Sequence, residues 1–421
     1  MPPVEIIEKR TRNSKTYWLG ENRYRQEFHV GDIHYKDSDG YWQGIDANYS
    51  EADGDGFTAK FTKLPFAIRM GDDGRRRLYP DRNDLFYWIE IGKPFASMGA
   101  PTKEGGYWVW DYPSAAISLM VSSIGIKLNF TLKNSNAPTS ISFPFAVQGI
   151  TRDGNTLLHN GKPVVILAKP SAVDAEGTER DVNVSFSAGE VTLSLDTSGL
   201  VFPIDVDSTE LVVQPSSKDT YFRLSYPDNN YGGLAYLTIN DDWDNVYRGI
   251  LEFDISGLPS GATLDSASFQ LYYGSKSGTD PSGKTVWAYK LTRTDWVESE
   301  ATWNSYKSGS AWTDAGGDYV TSSPSGGSTT FPASYGWVAW NVLAIVQDAY
   351  DNTNPAEFLV KFEDETLTSG YGYATLYPRE YTTDPDLQPT LVIEYEVAAP
   401  AGQPYTSRVQ GVQGMRSWGG I

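Results

Sequence analysis

The sequence predicts an all-β chain, and three observations carry that prediction. Apolar and polar residues alternate with period two in segment after segment. Gly (40) and Pro (24) punctuate those segments densely, and helix-period patterns are nearly absent. Aromatic residues make up 14% of the chain, which suits short strands packed face to face. At 421 residues the chain is long enough for two or three domains, each with its own core.

The alternation is clearest in AAISLMV (115–121), VTLSLDTSGLVF (191–202), ASFQLYYG (267–274) and TLVIEYEV (390–397). One helix is expected, in VAWNVLAIVQDAYDNTNP. There Val338, Val342, Ile345, Val346 and Ala349 recur at three- and four-residue spacing, and Asn-Pro closes the pattern at Pro355. A change of module is placed near FPIDVDSTELVVQPSSKDTYF. The expected organisation is an N-terminal β-rich module over 1–207, of one sheet pair or two sub-sheets, then a jelly-roll or Greek-key β-sandwich over 208–397. An extended C-terminal arm over 398–421 follows, with no acidic residue after Glu396. The charged stretch GDDGRRRLYPDRND (71–84) is expected to be a solvated loop.

Composition excludes several chemistries. Without cysteine there is no disulfide, no thiolate nucleophile and no cysteine-ligated zinc. A net charge of −19 disfavours nucleic acid and anionic lipid as partners. The first 207 residues carry 22 Lys+Arg against 27 Asp+Glu, and the remainder 12 against 26, so the acidic second half is where calcium would be sought. No apolar run is long enough to span a membrane. MPPVEIIEKRTRNSK has no apolar core, so a chain beginning there is not expected to use the Sec route.

Two of the three histidines lie in HVGDIHYKDSDGYWQGID. His29 and His34 are an odd number of residues apart, which sends strand side chains to opposite faces. Asp39-Gly40 between alternating segments is a hairpin signal, so a hairpin is expected rather than a metal centre. EADGDG (51–56) imitates the start of an EF-hand loop, but Thr62 stands where the closing glutamate belongs. No G-x-S-x-G, H-E-x-x-H or phosphate-cradling glycine loop occurs, and no enzyme activity is expected; the enzymatic alternative is a polysaccharide-degrading enzyme working through a pair of carboxylates.

From Asp219 the text carries a family pattern. Its parts are KDTYFRLSYPDNNYGG, Arg248-Gly249 before Phe253-Asp254, LPSGA (258–262), Trp296 with Glu298, ATWN (301–304), Arg379-Glu380 and Pro389 before the last strand. This resembles the DNRLRE domain, a jelly roll related to disaggregatases and to carbohydrate-binding modules. The segment RTRNSKTYWLGENRYRQEFHVGDIHYKDSDGYWQGID is similar to the N-terminal module of cell-wall-associated RHS-repeat proteins. The resemblance implies a surface glycan as partner. It marks Trp243, Tyr231, Arg248 and Arg379 for glycan contact, with Arg248 and Arg379-Glu380 read first as ion pairs holding the sheets. Asp241, Asp242 and Asp244, with Asp219 at the sheet edge, are the candidate calcium ligands. Trp287, Trp296, Trp303, Trp312, Trp337 and Trp340 are assigned mainly to the space between sheets, with one or two left as exposed sugar platforms. The functional expectation is an adhesive, non-enzymatic protein of a virion or of an extracellular surface. Its other partners would be copies of itself or other particle proteins, engaged through the arm.

Overall fold

The computed structural model describes residues 2–397, apart from 47, 53, 55, 82–84, 94–98, 105–106, 122–124, 155, 168–169, 214–216, 241–244, 322–325, 367–371 and 382–383. The expected arm and the acidic loop Asp241–Asp244 with Trp243 therefore lie outside the described residues, as do Asp53 and Asp55 of EADGDG.

The chain is all-β, and its strands pair antiparallel throughout the described ladders. Two sheets of eight and ten strands enclose a single N-terminal core. The first sheet contributes Ile68, Leu78, Ile89 and Phe143, and the second contributes Trp108, Ile117, Leu119 and Phe130. The rings of Phe130 and Phe143 meet across the gap at 5.7 Å. Period-two alternation produces this directly: in Ala115–Val121 every second side chain is buried.

The second body is one curled sheet of thirteen strands around its own core. The strand Tyr247–Phe253 pairs with Lys218–Arg223 and Ala356–Phe362. After the turn at 258–261 the chain crosses to the long strand Ala262–Gly278, which pairs with Thr390–Val397, Gly336–Asn341 and Gly372–Leu376. Successive strands thus join different parts of the curl, as in a Greek key.

Four expectations change in detail. The boundary at 207 falls inside the strand Ile204–Val213, which belongs wholly to the ten-stranded sheet, and the change of sheet comes after Val213. Residues Val4–Glu5, Ser14–Gly20 and Arg23–His29 extend the C-terminal sheet, because Arg23–His29 pairs residue by residue with Thr390–Glu396. The helix is shorter than its periodicity suggested. Leu343–Asp351 is helical and buries Ile345, Val346 and Ala349, while Val338 lies in the strand Gly336–Asn341. Finally, Arg76–Tyr79 is a strand rather than a solvated loop. Arg77 pairs with Glu90 directly across the ladder, and Arg76 is buried over Phe143.

The expected hairpin at Asp39-Gly40 is present. His34–Lys36 pairs with Trp42–Gly44, Gly40 takes φ 85°, and the Asp37 carboxylate accepts from the backbone N–H of Asp39 and Tyr41. His29 ends the preceding strand, and burial depresses its ring to about 3, so it is neutral.

Candidate functional site

The structure brings Asp219 and Arg379 together but buries both. Neither exposes any surface, which removes Arg379 from ligand contact. Its guanidinium donates from Nε to Glu298 Oε1 at 2.9 Å, from Nη2 to Glu298 Oε2, and lies 3.1 Å from Glu380. The Arg379 backbone N–H donates to Asp219 Oδ2 at 2.9 Å, and the Asp219 N–H to Glu298 Oε1 at 2.7 Å. Among the described residues, Asp219, Glu298 and Glu380 form the one carboxylate group close enough to hold a metal ion. Both oxygens of Glu298 are already engaged, so the triad is organised around a guanidinium. Asp219 is therefore better read as a member of an ion-pair cluster than as a calcium ligand. Burial and the charge of Glu298 push the Asp219 carboxyl up to about 7.

Arg248 sits on the opposite face of its strand from Tyr247. It donates from Nε and Nη2 to the Glu365 carboxylate at 2.9 and 2.7 Å and lies 4.8 Å over the Trp303 ring. Only 14% of its side chain is exposed, so it acts as an internal brace. Tyr231 is also buried, stacked on Tyr221 at 4.6 Å. Of the four expected glycan contacts, then, three are inward-facing and Trp243 lies outside the described residues.

A second internal charge group follows from register. Lys218, Glu252 and Glu357 stand side by side across three strands. Lys218 lies 3.1 Å from Glu252 and 4.3 Å over the Trp296 ring. Glu357 is buried, and burial next to Glu252 pushes its carboxyl up to about 10. It carries a proton at neutral pH. These two acids are direct cross-strand neighbours and Glu357 is buried, which is not the geometry of two carboxyls facing each other across a sugar.

The exposed aromatic chemistry lies on the outer face of Ala262–Gly278. Phe269, Leu271 and Tyr273 point into the core, which sends Ser268, Gln270 and Tyr272 outward. The neighbouring strand divides in the same way: Val338 and Trp340 are buried, while Trp337 is 40% exposed. Tyr272 and Trp337 are direct cross-strand partners with rings 5.5 Å apart and perpendicular. Tyr377 stacks beside Tyr272 at 5.3 Å, and Tyr381 lies on Tyr377 at 3.6 Å and 9°. Gly274 makes room for this group, since a Cβ there would collide with the Tyr377 ring.

These four rings hold one another in place, which lowers the entropy lost when a ligand is bound. Tyr335, 56% exposed, packs instead against the core-facing Tyr273, with ring centroids 5.0 Å apart. Trp337 is an exposed tryptophan among six of which sequence reasoning left one or two as platforms without saying which. The signal was present in GWVAWN: two tryptophans three residues apart on a strand must face opposite ways, and only one can be core.

Among the described residues no helix is long and apolar enough to cross a membrane. Comparison with known proteins adds two curated relatives. They are the tRNA nuclease WapA of Bacillus subtilis (strain 168) and the tRNA(Glu)-specific nuclease WapA of Bacillus subtilis subsp. natto (strain BEST195). Each is 24% identical over 272 residues, covering 55% of this chain, and the chain spans 11% of the length of either relative. Among solved structures, the crystal structure of the N-terminal domain of the Streptococcus gordonii adhesin Sgo0707 aligns with 93% of this chain and 74% of that one. The TM-score is 0.12 and the identity 7%, a likeness too low to support any inference. Residues 211–395, the part that carries the aromatic group, match the model of carbohydrate-binding module family 96, and the C-terminal module is carbohydrate-binding-module-like.

Proposed function

We propose that this chain is a non-enzymatic glycan-binding protein that adheres to surface polysaccharide through Trp337, Tyr272, Tyr377 and Tyr381. The observation that carries this reading is the exposed Trp337 ring, fixed against Tyr272 within a module that matches a carbohydrate-binding family. Pyranose rings present apolar C–H faces that stack on such rings, and the phenol hydroxyls can pair with sugar hydroxyls. The nuclease names belong to proteins of which this chain covers 11%, and they do not bear on this site.

Display on a surface or particle is the finer form of the reading. A phage virion appendage is one version, with a bacterial cell-surface protein as the alternative. The particle version rests on the sequence of the 398–421 arm alone. Light scattering of the full chain beside a version ending at Val397 tests it, since an assembly arm predicts oligomers that the truncation loses.

A glycan array probed with the full chain and with Trp337→Ala tests the binding itself. Binding to a defined set of glycans, weakened at least tenfold by the substitution, is the expected result. An array on which the full chain binds nothing would overturn the proposal.

A further inference from the structure

A second set of exposed rings lies where the two bodies meet. Arg223, at the end of the strand Lys218–Arg223, donates from Nη2 to Glu179 Oε2 at 3.0 Å and from Nη1 to the Tyr247 hydroxyl at 3.0 Å. Glu179 belongs to the N-terminal module, on the strand Glu179–Asp181, and a third of its side chain is exposed. The guanidinium lies 4.0 Å from the centre of the Tyr226 ring and 5.2 Å from that of Tyr231. Tyr226 is 48% exposed and Tyr236 43% exposed.

The loop carrying Tyr226 is pinned, because Asn230 Nδ2 donates to the carbonyls of Glu298 and Ala301 at 2.6 and 2.7 Å. Beside it opens a polar cleft of about 230 Å³, lined in part by Asp228, Asn230, Glu300, Thr302 and Ser305. The Arg223 Nε is buried and meets no acceptor among the described residues.

We propose that this seam is a second saccharide-binding site, formed by the exposed Tyr226 and Tyr236 of the C-terminal module, with Arg223 bracing Tyr226 from within, and completed by Glu179 of the N-terminal module. It is separate from the Trp337 group, and it rests on the reading of the chain as a glycan binder.

The ligand class follows from the chemistry present. Arg223 neutralises Glu179, so the part-exposed Glu179 carboxylate and the tyrosine hydroxyls offer acceptors and donors without net charge. That set suits the vicinal hydroxyls of a neutral pyranose, which both donate and accept. Tyr226 is supported on one face by Arg223 and offers its exposed surface to the sugar ring. The cleft lined by hydroxyls and carboxylates continues the site for an adjoining sugar unit. Two sites on one chain would grip a polysaccharide at two points, or cross-link two strands, with an avidity that neither site gives alone.

The test uses the full chain and a panel of neutral gluco-, xylo- and manno-configured hexasaccharides. Affinity and stoichiometry are measured by calorimetry for the wild type, Trp337→Ala, Tyr226→Ala/Tyr236→Ala, and the triple variant. Both tyrosines are surface residues, so thermal melts should match the wild type and exclude misfolding. The expected result is two binding events in the wild type and one in each of the first two variants, with none in the triple variant. Glu179→Gln is expected to weaken the event that survives in Trp337→Ala by about tenfold. If Trp337→Ala alone abolishes all binding, or if its residual binding is unaffected by the tyrosine substitutions, the seam proposal is wrong while the glycan reading stands. If the wild type binds no panel member and no glycan on the array, both fall.

Discussion

The inner and outer faces of the two strands Ala262–Gly278 and Gly336–Asn341 use the same residue types for opposite ends. Inward, Trp340 stacks on Phe269 at 5.2 Å, is 1% exposed, and donates its indole N–H to the Val286 carbonyl at 3.1 Å. Outward, Trp337 touches Tyr272, remains 40% exposed, and has no indole hydrogen bond among those described. A buried tryptophan with its N–H satisfied is a structural residue. An exposed one held by neighbouring rings contributes little to stability and is free to serve a ligand. The N-terminal module differs again. Its two sheets bury most of their aromatic rings in one core; of its exposed rings Phe86 and Tyr49 stand in a turn and a loop, and Tyr107 lies on the strand Tyr107–Asp111.

The largest effect should come from the inner side. Trp340→Ala is expected to destabilise the C-terminal body by about 3–5 kcal/mol, measured by denaturant unfolding. Trp337→Ala should stay within about 0.5 kcal/mol of wild type. Equal losses for both would erase the distinction between the two faces.

Removing the buried cation is nearly as severe. Arg379→Met leaves Glu298 and Glu380 unpaired in the interior, with an expected cost of about 3–5 kcal/mol. Because the guanidinium already organises that cluster, EDTA should move the melting temperature by less than about 1 °C. A rise of several degrees on adding calcium would place a cation among the carboxylates instead.

Acid–base linkage gives a smaller, pH-resolved effect. Asp219 and Glu357 hold protons in the folded chain at pH values where the unfolded chain has released them. Their stabilisation is complete below about pH 4. It is lost as pH rises through about 7 for Asp219 and about 10 for Glu357. Glu357→Gln should therefore flatten the fall in melting temperature between pH 5 and 10, leaving the variant the more stable protein at pH 9 by a few degrees. Thermal melts across that range decide it, and a variant whose profile parallels wild type would contradict the assigned protonation. Gentlest of all, Gly274→Ala should displace Tyr377 and with it Tyr381, weakening glycan binding severalfold with little loss of fold.

Much of the fold was legible because period-two alternation reports burial directly. Ala115–Val121 and Thr390–Val397 are strands with the bounds the alternation gives. What local pattern could not report was pairing over long separations. Nothing in RYRQEFH says that it will lie against a strand some 370 residues later, although Arg25 meets Glu394 there at 2.7 Å. The helix was over-extended for a related reason. Val338 fits a helical spacing, but Trp337-Val338-Ala339-Trp340 also alternates, and pairing with Ala262–Gly278 decided between the two.

Site residues were harder still. Tyr231, Arg248 and Arg379 stand out in the sequence as a motif, yet a recurring motif marks the interior as readily as the surface, and here all three are enclosed. The outer group instead joins the exposed Trp337 to the half-buried Tyr272, Tyr377 and Tyr381 from three separate stretches, which only the closed sheet brings together.

Trp337 is proposed to meet glycan while Trp340 does not. The direct measurement is a titration of the full chain with an oligosaccharide selected on the array, followed through the indole N–H resonances of the tryptophans by NMR and assigned with Trp337→Phe and Trp340→Phe. The account predicts that the Trp337 resonance shifts with ligand concentration while that of Trp340 stays in place. Saturable binding that leaves the Trp337 resonance unmoved would contradict it.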